Sequence, residues 1–216
     1  MRTQFVNEMK NLNEKLITMG KMVEDIIEFS VKALARQDLD AAKKVYEMDD
    51  KIDEIELDIE NQCMRLIALQ QPMAKDLRVI GTIMKIITDL ERMGDHAVNI
   101  AKVTLQIGDE PLIKPLVDIP NMASLSQSMV RKCLQAFTNE DVRLAREVAC
   151  DDEAVDEIYE DIYTELLEMM IKDQKIINQA TRLLFIARYL ERIADHATNI
   201  GERIIYMVTG ERVEIN

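Results

Sequence analysis

The chain has 216 residues, with 40 acidic and 27 basic side chains and a net charge of −13. This charge repels a phosphate backbone, so nucleic acid is a poor partner, whereas divalent cations and basic protein surfaces suit it. Hydrophobic residues make up 48%, aromatic residues only 4%, and good helix formers dominate, which excludes disorder and predicts an all-α protein. With no apolar run of about 18 residues and no secretory signal, we expect a cytoplasmic protein without a membrane span.

Helical spacing of apolar residues runs along almost the whole chain and predicts six long helices. In chain order they cover about residues 3–36, 39–70, 75–105, 121–137, 140–171 and 175–208. Asp38 is the expected N-cap of the second helix, and Thr138 or Asn139 that of the fifth. Three prolines between residues 109 and 120 indicate a linker. The predicted division is therefore a first unit at 1–108, the linker at 109–120 and a second unit at 121–216.

The two units repeat one pattern. The segment LERMGDHAVNI at residues 90–100 recurs as LERIADHATNI at residues 190–200, with eight of eleven positions identical. Long helices joined by short turns must lie antiparallel, so the repeat predicts two pseudo-symmetric antiparallel three-helix bundles.

The repeat keeps its acidic residues as well as its apolar ones. Acidic pairs four residues apart return at matching places in the two halves: Asp49 and Asp53, Glu91 and Asp95, Asp152 and Asp156, and Glu191 and Asp195. Residues four apart are neighbours on a helix, so facing pairs would bring four carboxylates together in each half. Oxygen ligands favour a hard divalent or iron-type cation such as Mg, Mn or Fe. Asn99 and Asn199 extend the lines as candidate additional ligands, although any single acidic pair in so acidic a chain is ordinarily a solvated face.

The two histidines, His96 and His196, directly follow the aspartates and therefore point roughly 100° away around the helix. They share a polar strip with Arg92 and Arg192. We expect side chains at the surface, or side chains that support the ligands from behind, rather than metal ligands. The strip is a candidate docking face for a partner, although ordinary salt bridging is the more common reason for such a strip.

The residue pattern predicts no enzyme. It holds no Gly-rich phosphate loop and no evident pairing for nucleophilic catalysis. Two functions stay open at this point, namely a carboxylate-bridged metal-storage or redox bundle and a purely structural bundle. Ferritin-like sites need Glu-x-x-His, but Met93 and Ile193 stand three residues before the histidines, which argues against the storage alternative.

Four segments resemble the PhoU family of phosphate-uptake regulators: QPMAKDLR at 71–78, DLERMGDHA at 89–97, LERIADHA at 190–197 and TGE at 209–211. The resemblance covers essentially the whole chain. It implies two three-helix bundles and metal binding by Glu/Asp-x-x-x-Asp motifs, which fall on the eight carboxylates named above. One departure is Ala194, which stands where the first half has Gly94, so the two sites need not be equivalent.

The resemblance also implies partners. It suggests a homodimeric adaptor that bridges the ATPase subunit of the phosphate ABC transporter and a sensor histidine kinase. Such an adaptor restrains uptake and the phosphate-starvation response when phosphate is plentiful. Through these partners the protein would associate peripherally with the membrane.

Overall fold

The structure, a computed structural model, describes residues 2–215 and contains six long α-helices and no strand within that range. The helices are α1 Arg2–Arg36, α2 Leu39–Gln70, α3 Lys75–Ile107, α4 Asp118–Asn139, α5 Val142–Lys172 and α6 Ile177–Thr209. A single turn of 3₁₀-helix, Gln174–Ile176, leads into α6. The all-α, six-helix prediction is confirmed; Met1 and Asn216, the outer limits of the two predicted units, lie outside the described residues.

The caps of α2 and α5 follow one pattern. Asp38 and Asp141 are extended, and each carboxylate accepts a hydrogen bond from the backbone N–H three residues later, at 2.9 and 3.0 Å. The prediction that Asp38 is the N-cap of α2 is confirmed. The prediction that Thr138 or Asn139 is the N-cap of α5 is wrong. Both residues belong to the last turn of α4, where the Thr138 hydroxyl donates to the carbonyl of Leu134.

The connection between the halves is shorter than the predicted linker. Helix α4 begins at Asp118, three residues before the predicted start at Asn121. Pro120 is therefore inside the helix, in its first turn. A proline is tolerated there because backbone N–H groups of the first turn have no intrahelical acceptor.

This connection is also anchored to the helices on both sides. The buried side chain of Gln179 on α6 accepts from the N–H of Ile113 at 2.6 Å and donates to the carbonyl of Pro111 at 3.0 Å. From the end of α1, Gln37 donates to the carbonyls of Gly108 and Glu110, at 3.1 and 2.6 Å. Hydrogen bonds to the end of α1 and to α6 therefore fix the conformation of this connecting segment.

Helices α1, α2 and α3 pack on one another, and α4, α5 and α6 do the same. Contacts of α3 with α6 and of α1 with α4 join the two sets, and buried apolar side chains of all six helices form one core. Helices α3 and α6 run antiparallel, since Arg78 near the start of α3 donates from Nε to the carbonyl of Met207 near the end of α6, at 3.2 Å. Separate domains at 1–108 and 121–216 stay a prediction.

Candidate functional site

The first carboxylate cluster consists of Asp49 and Asp53 on α2 and Glu91 and Asp95 on α3. The two members of each pair lie one helical turn apart, and the packing of α2 on α3 brings the two pairs together. Burial raises the pKa of Asp49 to about 6, with further contributions from the charges of Asp53, Asp95 and Glu91. Burial also raises the pKa of Asp53 and Glu91, again with help from neighbouring carboxylates. The predicted convergence of negative charge is therefore present in this half.

The position of Asp49 depends on a glycine of the opposite helix. A Cβ atom added to Gly94 would lie 2.6 Å from Oδ1 of Asp49, which is closer than real Cβ contacts. The carboxylate thus lies directly against the backbone of α3, between Glu91 and Asp95 in the chain. Any side chain at position 94 would displace it.

The second carboxylate cluster consists of Asp152 and Asp156 on α5 and Glu191 and Asp195 on α6. Glu191 is only 8% exposed, and burial, followed by the charge of Asp195, raises its pKa to about 7. Burial and Asp195 also raise the pKa of Asp156, and Asp152 is buried one turn before it. Oε2 of Glu191 is buried without a hydrogen-bond partner, so this oxygen is free to accept a cation or a proton.

Arginines are the counter-ions that the structure gives these clusters. Arg92 lies with Nη1 3.1 Å from Oδ2 of Asp95 and with Nε 3.4 Å from Oε2 of Glu91. In the second half, Nη1 of Arg192 lies 3.2 Å from Oδ2 of Asp195. Both arginines are exposed, so these ion pairs are solvent-screened and readily exchanged.

The second cluster has an additional arginine that the first lacks. Nη1 of Arg188 lies 2.5 Å from Oε1 of Glu191, and its guanidinium lies over the ring of Tyr159, 5.8 Å from the centroid. The matching position of the first half is Thr88, which is exposed. The spacing of the carboxylates does not indicate that Arg188 belongs to the cluster. A comparison of the two halves would have shown it, because the position that matches Arg188 is a threonine. The two clusters are therefore unequal in charge.

The ligand atoms of these clusters suit a cation, but the side chains do not stand in the geometry of a metal site. The donors are all oxygens and carry mutually repelling charges, which suits a hard cation. Among residues 2–215, however, no three His, Cys, Asp or Glu side chains stand in the arrangement of a metal site. Asn99 is half-buried and its Oδ1 accepts from Nζ of Lys102 at 3.2 Å, while Asn199 is half-buried on the matching turn of α6. Ligation by these residues stays a prediction.

The histidines lie elsewhere than on an exposed strip. His96 and His196 face each other between α3 and α6, with ring centroids 5.7 Å apart. His96 also stacks on Tyr189 at 5.8 Å, and Nδ1 of His196 lies 3.0 Å from Oδ1 of Asp89. Burial, followed by the charge of His196, lowers the pKa of His96 to about 4. Only the two arginines of the predicted docking face are exposed, because the other half of the molecule covers the histidines.

A sequence model of the PhoU domain matches the chain twice, at residues 16–104 and 119–204. A phosphate-specific transport system accessory protein PhoU homolog of Clostridium acetobutylicum is 42% identical over 216 residues, which is 100% of this chain and 99% of that protein. Its counterpart in Aquifex aeolicus is 42% identical over 207 residues, covering 96% and 94% of the two chains.

Solved structures agree with the sequence matches. The crystal structure of PhoU from Pseudomonas aeruginosa superposes with a TM-score of 0.91 at 37% identity, covering 96% of this chain and 100% of that one. The phosphate transport system regulatory protein PhoU from Streptococcus pneumoniae gives 0.89 at 36% identity, with 97% and 99% covered. The repeated helical unit, its paired carboxylates and these full-length matches lead to one conclusion: the chain belongs to the PhoU family.

Proposed function

We propose that this protein is a non-catalytic regulator of phosphate uptake that works as an accessory protein of a phosphate-specific transport system. The single observation that carries the proposal is the match over the full chain, at 42% identity, to a relative named for that role. The same match supports a physical association with the transporter. The accessory-protein name also supports a role without catalysis.

In this proposal the two carboxylate clusters bind divalent or iron-type cations. Each cluster holds several carboxylates whose charged forms are disfavoured by burial and by one another, and a bound cation removes both penalties. Mg, Mn and Fe all suit oxygen ligands. Because exposed Arg92 and Arg192 already pair with the aspartates, a cation must displace them, and their release would change the charge presented on the surface.

The partners of the proposal are the ATPase subunit of the transporter and a sensor histidine kinase. Arg92 and Arg192 are the exposed members of the predicted docking face. None of the described helices is both long and apolar enough to cross a membrane. We accordingly propose a cytoplasmic homodimer that reaches the membrane through its partners.

The test is complementation of a strain that lacks this protein, with phosphate uptake and a phosphate-starvation reporter as readouts. The variant Glu91→Gln/Asp95→Asn removes two charges from the first cluster. Glu157→Gln/Asp161→Asn is the matched control, since it changes an exposed acidic pair of the same spacing on α5. The proposal expects repression to fail with the cluster variant and to persist with the control.

A pull-down in high phosphate tests the partners separately. The wild-type chain should recover the transporter's ATPase subunit and the kinase. Recovery of neither, together with normal repression in the cluster variant, would leave the protein as a structural bundle. Saturable, oxygen-dependent oxidation of Fe²⁺ would instead favour the storage or redox alternative.

A further inference from the structure

A cavity of about 780 Å³ lies between the first half of α3, the end of α6 and the segment that follows α6. None of the eight cluster carboxylates lines it. Its volume is in the range of small-molecule sites and far exceeds what inorganic phosphate fills. The cavity is therefore a candidate site separate from the clusters.

The charge of this cavity opposes that of the whole protein. Four cations, Arg78, Lys85, Arg203 and Arg212, and two carboxylates, Glu202 and Glu214, line it, which leaves the lining with an excess of two positive charges. None of the four cations forms an ion pair with another described residue. The chain has 40 acidic residues against 27 basic ones, so a shortage of carboxylates does not explain the unpaired cations. An excess of two unpaired positive charges around one cavity indicates a site for an anion with more than one negative charge.

Two of the three cavity arginines are held in place by other contacts, and the third, Arg203, is not. Nε of Arg78 donates to the carbonyl of Met207 at 3.2 Å, and Arg212 lies over the ring of Tyr206, 5.8 Å from its centroid. Nε of Arg203 is buried without any acceptor. The guanidinium of Arg203 also has no ion-pair partner among the described residues, and a phosphate oxygen is an acceptor that matches the guanidinium fork.

The remaining lining is partly apolar. Leu77, Val213 and Tyr206 contribute to it, and Leu77 is 44% exposed. Inorganic phosphate would leave these side chains uncovered. We propose that the cavity binds a phosphorylated small molecule of nucleotide size, with its phosphates against Arg78 and Arg203 and its apolar or planar part against Leu77 and Tyr206.

Gly81 offers a way to block the cavity without disturbing the fold. It lines the cavity, and a Cβ atom added to it would meet no atom within 4 Å. A Gly81→Leu side chain therefore enters open space, and a leucine favours the helix over a glycine. Arg203→Met removes the unpartnered guanidinium. Arg143→Met is the control, because it removes the same charge from an exposed position on α5 that is paired with Glu147.

The experiment is isothermal titration of the full chain with AMP, ATP, inorganic phosphate and citrate, in EDTA so that no metal complex contributes. We expect AMP or ATP to bind at submillimolar concentration, phosphate and citrate at least tenfold more weakly, and Gly81→Leu and Arg203→Met to lose at least tenfold in affinity. Arg143→Met should bind like the wild type.

Absence of nucleotide binding, equal binding of citrate, or unchanged affinity in Gly81→Leu would overturn the proposal. A thermal melt of each variant shows that it is folded. Titration of Glu91→Gln/Asp95→Asn separates this site from the proposed cation sites, since its nucleotide affinity should match the wild type whether or not the clusters bind metal.

Discussion

Gly94 is the residue on which the geometry of the first cluster depends most closely. Asp49 lies where a Cβ atom of residue 94 would be, with Oδ1 only 2.6 Å away. In the second half this position is Ala194, which is fully buried. Within the repeated LER-x-x-DHA pattern, the two halves therefore differ next to the carboxylates by one methyl group, that of Ala194.

The substitution Gly94→Ala should weaken cation binding by at least tenfold while leaving the fold intact. The added methyl displaces the Asp49 carboxylate, whereas alanine favours the helix over glycine by about 1 kcal/mol. Titration with Mn²⁺ in the Glu191→Gln/Asp195→Asn background reports the first cluster alone. The control Ala194→Gly should lower the free energy of unfolding by about 1 kcal/mol and keep that affinity; unchanged Mn²⁺ affinity in Gly94→Ala would contradict the role given to Asp49.

Asp49 also makes stability depend on pH. Its folded pKa of about 6 lies above the ordinary aspartate value of 3.8, so between these values the folded chain binds more protons than the unfolded chain. The free energy of unfolding should therefore fall as pH rises from about 4 to about 6 when no divalent cation is present. The charged carboxylate is a net penalty above that window.

Asp49→Asn should consequently raise the free energy of unfolding at pH 8 in EDTA by about 1–2 kcal/mol, after a discount for solvent screening of this half-buried side chain, and flatten the decline between pH 4 and 6. Urea denaturation at a series of pH values measures both effects. Added Mn²⁺ should stabilise the wild type and not the variant. An asparagine variant that is less stable than the wild type at pH 8 would show that the charged form is favoured in the fold.

At the scale of residues, the sequence predicted that the carboxylates converge but not that the opposite half covers the histidines. Spacing of four residues is enough to put Glu91 beside Asp95 on one face. A single helix cannot reveal which of its other faces the opposite half covers, so the strip with His96 was expected at the surface. The structure leaves His96 half-buried because α6 packs there, with Tyr189 against the ring.

At the scale of elements, α2 and α5 begin in the same way, after a left-handed residue and a capping aspartate. Gln37 and Glu140 have φ of 49° and 51°, and Asp38 and Asp141 follow them. The sequence offers two polar residues ahead of Asp141 that also suit a cap. The structure selects the aspartate because α4 continues through Thr138 and Asn139, so neither has the extended backbone of an N-cap.

Asp38→Ala and Asp141→Ala should each lower the free energy of unfolding by about 1 kcal/mol, since each removes the acceptor of a first-turn N–H. Asn139→Ala is the matched control and should have almost no effect, because Asn139 lies inside α4. Chemical denaturation of the three variants checks the assignment. A larger loss in Asn139→Ala than in Asp141→Ala would restore the cap that the sequence suggested.

The helix pattern was predictable because apolar spacing repeats over many turns, and six of six long helices follow it. The start of α4 was not predictable from the same signal. Pro120 indicates a break in the chain, yet a proline fits the first turn of a helix as well as a loop. The anchoring of the connecting segment by Gln179 depends on contacts between residues far apart in the chain. A local sequence pattern therefore cannot predict it.

At the scale of the whole molecule, the two halves share a fold and differ in charge. The second cluster has Arg188 against Glu191, whereas the first has exposed Thr88 at the matching place. A cation entering the second cluster must compete with this resident guanidinium. Under the proposal that the clusters bind cations, the first cluster should therefore bind them more tightly than the second.

The most direct test is elemental analysis of the gently purified protein, with the cluster variants alongside. The wild type should contain a divalent or iron-type metal, Glu91→Gln/Asp95→Asn should lose most of it, and Glu191→Gln/Asp195→Asn should lose the smaller part. The control Glu157→Gln/Asp161→Asn should retain the wild-type content. The same metal content in all four proteins, or none in the wild type, would contradict the claim that the repeated carboxylates are cation sites.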